Sequence, residues 1–323
     1  MDLVIGGSGF IGSRLVQKMV NRGRKVRVYD LNPFPAEFPG PSEFVQGDIL
    51  DLQKLVRATE GCDRVFHLAG IPHLWARQPG MFDRVNHQGT ANVLEAARLA
   101  EVSRLIYTGT ESILTSPNYR GPIDEDVEPL LDDMVGPYCR SKLLAERLVF
   151  RAVVNGLNAV IVCPTLPIGP GDRNLTPPGR LISAFLSGKL IAYLDCTLNV
   201  VDVRDVALGH LLAAEKGRVG RRYILGGYNL TLLEFCQQLS RISGKALPRF
   251  QIPYGVALAW SYLEEFVGKL TGRVPLSSVT GVKLSRRTFI FDGAKSWEEL
   301  GYVPRPLEET IRDAVAWFQK DNA

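Results

Sequence analysis

Asp2-Leu3-Val4-Ile5, followed at once by Gly6-Gly7-Ser8-Gly9-Phe10-Ile11-Gly12, is the stretch whose reading decides the fold. Leu3-Val4-Ile5 reads as a short strand, and FIGSRLVQKMVNRG (10–23) carries apolar residues at helical spacing. Glycines at 6, 9 and 12 permit a tight turn and let backbone N–H groups approach a pyrophosphate, while the helix N-terminus adds a favourable field for negative charge. A glycine triplet alone says little; here a strand precedes it and an amphipathic helix follows.

A second strand, KVRVYD (25–30), ends on Asp30, 18 residues beyond Gly12. A carboxylate there is suited to accept hydrogen bonds from an adenosine ribose and repels a 2′-phosphate, so NAD is expected rather than NADP. The alternative is an aspartate that only caps a turn. Gly47-Asp48-Ile49 follows a third short strand, where a strand-to-helix turn capped by Asp48 is as well supported as a cofactor contact.

Further β-branched runs, RVFHL (64–68), RLIYT (104–108) and NAVIVC (158–163), alternate with helix-period segments such as GTANVLEAARLAEV (89–102). Parallel strands need long crossovers and are covered on both faces, so the expected fold class is α/β, a doubly wound parallel-sheet domain. It is expected to span 1–165, with a return segment near 196–216. The remainder, 166–323, is expected to form mainly a smaller mixed α/β substrate domain. PTLPIGPGDRNLTPPGR (164–180) reads as an irregular loop, NVVDVRDVALGHLLAAE (199–215) as a strand end feeding a helix, and TLLEFCQQLSRI and PLEETIRDAVAWF as amphipathic helices.

The chain has 323 residues, about two domains at roughly 150 residues each, and 46% of them are hydrophobic. With 38 basic and 34 acidic residues spread along the sequence, no nucleic-acid footprint emerges. The five cysteines (Cys62, Cys139, Cys163, Cys196, Cys236) lack metal-ligand spacing, so a reduced compartment and no metal are expected. No run approaches the ~20 apolar residues of a membrane span, and the start lacks the features of a signal peptide. A cytoplasmic enzyme or binding protein with a small-molecule partner is what remains.

Tyr138 and Lys142 stand four apart in YCRSK, within PYCRSKLLAERLVFRAV, whose periodicity is helical, so they share one helix face. An ammonium beside a phenol favours the phenolate, which predicts a lowered tyrosine pKa and a usable acid or base. The pair lies one βαβ step beyond RLIYTGT, whose Thr110 is placed to set a hydroxyl beside a substrate oxygen.

With these pieces in hand, the chain resembles an extended short-chain dehydrogenase/reductase, the family of nucleotide-sugar epimerases, dihydroflavonol reductases and 3β-hydroxysteroid dehydrogenases. The resemblance covers essentially the whole length, through GGSGFIG (6–12), GDI (47–49), HLAG (67–70), VNHQGTANVLEAA (85–97), YTGT (107–110), YCRSK (138–142) and LGYVPRPLEETIRDAVAWF (300–318). PTLPIGPGDRN and the segment from AYLDC to ILGG also resemble the hopanoid-associated sugar epimerases and reductases. The resemblance implies Thr110, Tyr138 and Lys142 as the triad. Tyr138 would exchange a proton with the substrate, Lys142 would lower its pKa and bind the nicotinamide ribose, and Thr110 would orient the reacting oxygen. It implies cofactor contacts at Gly6, Gly9, Phe10, Ile11, Gly12, Asp30, Asp48, Ile49, Leu68, Ala69, Gly70, Asn86 and Pro164. Substrate contacts are expected at Glu111, Arg173, Asn174 and Thr176.

The chain departs from that family's pattern in several places. Ile5 stands where a threonine is usual, Gly109-Thr110 replaces a double serine, and Cys163 replaces the arginine that commonly precedes the proline. Thr110-Glu111-Ser112 lacks the acid pair used for sugar dehydration. His67 and His210 read as structural, and Cys163 as a buried small hydrophobe or, less simply, a neighbour of the nicotinamide. Segment 252–270 has a broad apolar face including Val256, Leu258, Trp260 and Phe266, expected to pack in the second domain's core; a pocket wall or lid and a membrane-surface contact are the alternatives. The leading expectation is an NAD-dependent oxidoreductase acting on a rather apolar secondary alcohol or ketone. A nucleotide-sugar 4-epimerase with the same triad is second, and a non-catalytic NAD-binding regulator third. A homodimer is compatible with the sequence.

Overall fold

A computed structural model of the chain describes residues 1–119 and 121–320. Its strands are β1 (Asp2–Ile5), β2 (Val26–Asp30), β3 (Glu43–Gln46), β4 (Arg64–His67), β5 (Arg104–Thr108), β6 (Ala159–Pro164), β7 (Leu166–Ile168), β8 (Ala192–Tyr193), β9 (Thr197–Asp202), β10 (Arg222–Leu225), β11 (Tyr228–Thr231) and β12 (Phe250–Gln251). The helices are α1 (Phe10–Asn21), α2 (Leu52–Thr59), α3 (Gly80–Phe82), α4 (Gly89–Leu99), α5 (Gly136–Val154), α6 (Pro177–Leu186), α7 (Val203–Lys216), α8 (Leu232–Ser243), α9 (Tyr254–Thr271), α10 (Val279–Leu284) and α11 (Leu307–Lys320).

Seven parallel strands form one sheet in the order β10-β6-β5-β4-β1-β2-β3. Its central strands have apolar middles, and β1 and β6 are buried at every position, as strands covered on two faces must be. One covering layer contains α1 and α7, which pack on each other over Val4, Val28, Phe66 and Val160. The opposite layer contains α2, α4 and α5 over Leu3, Val65, Leu105 and Ile161. Strand order reverses between β1 and β4, so the carboxyl ends of these neighbours open a crevice, the usual ligand position of such sheets.

The second unit has its own core, with Ile182, Phe185, Phe235, Leu239, Ile311 and Phe318 packed around β7, β9 and β11. The segment after Pro164 is less irregular than its proline content predicts, because Leu166–Ile168 pairs in parallel with β9. The expected helix in TLLEFCQQLSRI is α8. A reciprocal cap starts it: Thr231 Oγ1 accepts from the Glu234 N–H (3.1 Å), and the Glu234 carboxylate accepts from the Thr231 N–H (2.7 Å). The chain also returns to the large sheet beyond α7, since β10 pairs with β6.

One expectation fails here. Helix α9 does not bury the apolar face of 252–270: Val256, Trp260 and Phe266 are 60%, 55% and 60% exposed. Its inward side is made of Ala257, Ser261 and Gly268, small enough for the helix to lie close against its neighbours.

Candidate active site

The turn after β1 is shaped by steric exclusion. Gly6 has a left-handed φ of +84°, and a Cβ there would lie 2.5 Å from the Ala69 nitrogen. A Cβ on Gly12 would collide with the Gly6 carbonyl oxygen, so the first turn of α1 folds directly onto the loop. Bare backbone at a helix N-terminus is what a pyrophosphate requires. Among the neighbours of this turn, Gly6 donates its N–H to the Tyr29 carbonyl (2.9 Å) and Leu68 donates to the Ile5 carbonyl (2.8 Å).

Asp30 holds a turn and also lines the cavity. Its carboxylate accepts from the Ser8 N–H and the Asn32 N–H, each at 2.9 Å, so it fixes the glycine turn while facing the cavity. Asp48 is not the cap expected from the sequence. Asp51 caps α2 by accepting from the Lys54 N–H (3.0 Å), and Asp48 instead accepts from the Leu50 N–H (2.9 Å) in a local turn. Asn86 is buried, and its Oδ1 accepts from the Ile71 N–H (2.8 Å) while its amide donates to Ser141 Oγ (3.1 Å). It therefore ties the loop after β4 to α5.

Helix α5 sets Tyr138, Lys142 and Glu146 on one side, at successive four-residue steps. Its start is fixed by Gly136, whose φ of +73° and contact with Thr280 leave no room for a side chain. Lys142 Nζ donates to the Thr108 carbonyl (2.6 Å) and lies 4.8 Å from the Tyr107 ring centre. Burial pulls its ammonium down to about 8. Thr110, at the end of β5, donates to Glu111 Oε2 (3.0 Å) and accepts from the Ser112 N–H (3.3 Å). Burial pushes the Glu111 carboxyl up to about 7.

The lowered tyrosine pKa expected from the Tyr138–Lys142 spacing is not found. Burial raises the Tyr138 phenol well above its ordinary value, Glu111 raises it further, and a hydrogen bond with Thr110 opposes them. The physical reason is that desolvation disfavours phenolate, while the lysine ammonium is directed at a backbone carbonyl. The proton rests on Tyr138.

Beneath Lys142 lies a pair that the sequence reading missed. Arg222 of β10 meets Glu146 at 2.7 Å with both side chains buried, and the guanidinium also donates to the Glu125 and Val127 carbonyls. Cys163 Sγ lies 4.0 Å from Glu146 Oε2. A buried charge four residues beyond Lys142 was the available signal; its partner, 76 residues away, gave none. His67 and His210 each contact a neighbouring threonine. His67 Nε2 contacts Thr90 Oγ1 (2.9 Å), His210 Nε2 contacts Thr108 Oγ1 (2.9 Å), and burial lowers their pKa values to about 3 and about 4.

All the residues named from the sequence as cofactor, catalytic or substrate candidates line a single cavity of about 1170 Å³. They differ in what they can still offer. Arg173 is ion-paired with Glu37, and Thr176 donates to Asp172 (2.5 Å) and caps α6, so its hydroxyl is committed to structure. The same cavity is also lined by Leu74, Met81, Leu166, Leu284 and Phe289, none of them singled out by the sequence because they come from four separate segments.

Residues 3–226 match the model of the NAD dependent epimerase/dehydratase family. A putative dihydroflavonol 4-reductase of Synechocystis sp. is 35% identical over 98% of this chain and 94% of its own length. The sterol demethylase protein B of Methylococcus capsulatus is 32% identical over 98% of each. The structure of a UDP-glucose 4-epimerase from Thermotoga maritima, solved with UDP-glucose, superposes with a TM-score of 0.80 at 25% identity and covers 100% of both chains. The chain is therefore a member of the NAD-dependent epimerase/dehydratase family, an extended short-chain dehydrogenase/reductase.

Proposed function

We propose that the protein is an NAD-dependent oxidoreductase interconverting a secondary alcohol and a ketone on a small, largely apolar substrate of lipid, sterol or flavonoid type. The observation that carries this reading is that one cavity is lined both by the glycine turn, Thr110 and Tyr138 and by the apolar side chains of Leu74, Met81, Leu166, Leu284 and Phe289. Each Å² of apolar ligand covered there contributes about 25 cal/mol. A nucleotide sugar brings a diphosphate that needs cations. The basic residues lining the cavity, Lys142 and Arg173, are engaged with the Thr108 carbonyl and Glu37. Cys163, in place of an arginine, favours the same conclusion, as do relatives named as a flavonoid reductase and a sterol demethylase.

The turn at Gly6, Gly9 and Gly12 fits the pyrophosphate, and Asp30 fits the adenosine ribose. When bound, NAD supplies or accepts the hydride. Tyr138 holds its proton firmly and donates it to the carbonyl oxygen during reduction. Lys142, its ammonium held by the Thr108 carbonyl, is placed to bind the nicotinamide ribose. Thr110 orients the substrate oxygen and links the phenol to Glu111, whose carboxyl near neutrality stands ready to return the proton.

The test is a screen of alkyl, steroid and flavonoid ketones followed by the absorbance of reduced nicotinamide. Net oxidation of NADH with an apolar ketone supports the reading. Redox-neutral interconversion of UDP-glucose and UDP-galactose, with no turnover of apolar ketones, overturns it in favour of epimerisation, which the likeness to the Thermotoga maritima enzyme favours. The Asp30→Asn enzyme keeps the size of the side chain and removes the repelling charge, so its NADPH affinity is expected to rise about tenfold relative to NADH in parallel titrations.

A further inference from the structure

Helix α9 is inside out. At 100° per residue its large apolar side chains, Tyr262 through Leu270, Leu263 and Val256 to Trp260, cover an arc of about 160°, and all of them face solvent, with Trp260 55% and Leu270 67% exposed. Its acids point the other way: Glu264 accepts from the Leu276 N–H (3.0 Å) and Glu265 from the Val279 N–H (2.8 Å). The outward face is thus stripped of negative charge. Cations bracket it instead. Arg286 lies 5.0 Å from the Tyr254 ring centre at one end of the helix, and the exposed Lys269 and Arg273 stand at the other. Segment 252–289 holds five basic residues against those two acids, although the whole chain is only +4.

We propose that α9 docks on the surface of an anionic lipid bilayer, its apolar arc entering the interface and Lys269, Arg273 and Arg286 meeting lipid headgroups. Exposed apolar surface rimmed by cations, with Trp and Tyr at its edges, is the chemistry of an interfacial helix. An arc this wide exceeds the narrow seam that a single partner helix would cover. The helix is also one layer from the cavity: α10 packs against α9, and its Leu284 and Gly281 line the cavity. The proposal stands on the helix surface and holds whatever the substrate proves to be.

The experiment is co-sedimentation of the full chain with phosphatidylcholine vesicles, with and without phosphatidylglycerol. The expected result is binding to the anionic vesicles that salt weakens. Trp260→Ser/Phe266→Ser/Leu270→Ser lowers binding more than about tenfold, and Lys269→Glu/Arg273→Glu lowers it about tenfold or more. Thermal unfolding and NADH titration of each variant report that the fold and the cofactor site are intact. Wild-type protein that stays in the supernatant with both vesicle types overturns the proposal. So does a dimer in sedimentation velocity that the triple variant dissociates while vesicles bind neither form, which would assign the face to a second copy of the chain.

Discussion

Helix α5 turns Tyr138, Lys142 and Glu146 into the protein, whereas α9 turns Trp260, Phe266 and Leu270 out to water. Each departs from the rule that a surface helix buries its apolar stripe and shows its polar one: α5 buries Leu143 and Val149 but takes ionisable groups inside with them, and α9 leaves its apolar stripe outside. They break it in opposite directions and at different energetic risk. Buried ionisable groups demand partners, and α5 has them in the Thr108 carbonyl, Arg222 and the Thr110–Glu111 pair. Exposed apolar side chains demand nothing of the fold; they leave unclaimed surface. Departures on α5 therefore concern chemistry, and those on α9 concern what the protein touches.

The contrast can be attacked from the side of the largest effect first. Tyr138→Phe is expected to lower kcat by ~10²–10⁴-fold while calorimetry finds NADH binding little changed; a wild-type rate would remove the phenol from the mechanism. Arg222→Met leaves the Glu146 carboxylate without its partner in the interior. Urea denaturation should show a loss of about 3–5 kcal/mol, smaller at acid pH, where Glu146 takes up a proton. A loss within experimental error would mean that α5 does not depend on this pair.

Glu111→Gln tests the same region through pH. The folded-state pKa of Glu111 is raised to about 7, so the stability tied to its protonated form is full below the ordinary carboxylate value and is lost as pH rises through about 7. The glutamine variant should lack that decline and be more stable than wild type above neutrality by about 3 kcal/mol, read from melting curves across the pH range. Parallel curves for the two proteins would show that Glu111 does not titrate this way. The smallest effect belongs to α9: Trp260→Ser/Phe266→Ser should change unfolding free energy by no more than about 0.5 kcal/mol. A large destabilisation would mean that these rings pack in solution after all.

Much of the dinucleotide end was legible in the sequence because its determinants are local. Gly6, Gly9 and Gly12 follow β1 without interruption, and Tyr138 and Lys142 are one helical turn apart, so spacing alone brings them to a common face. Which aspartate caps α2 was not legible because two of them stand three apart, and only the backbone geometry selects Asp51 and leaves Asp48 in a local turn at the cavity. The 252–270 segment misled for another reason. Its periodicity correctly marked a helix with an apolar face, but periodicity does not say which side the rest of the molecule occupies, and here the small residues Ala257, Ser261 and Gly268 allow the closer approach.

By itself, then, the sequence determined the parallel α/β architecture, the glycine turn with Asp30 beyond it, and the pairing of tyrosine with lysine, since each follows from residues adjacent in the chain or in the helical repeat. Tertiary structure alone decided that Arg222 reaches Glu146, that Leu74, Leu166, Leu284 and Phe289 line the same cavity, that burial raises rather than lowers the Tyr138 pKa, and that α9 faces outward. These depend on contacts between distant segments and on the dielectric they create, quantities that packing sets and that no local pattern of side chains contains.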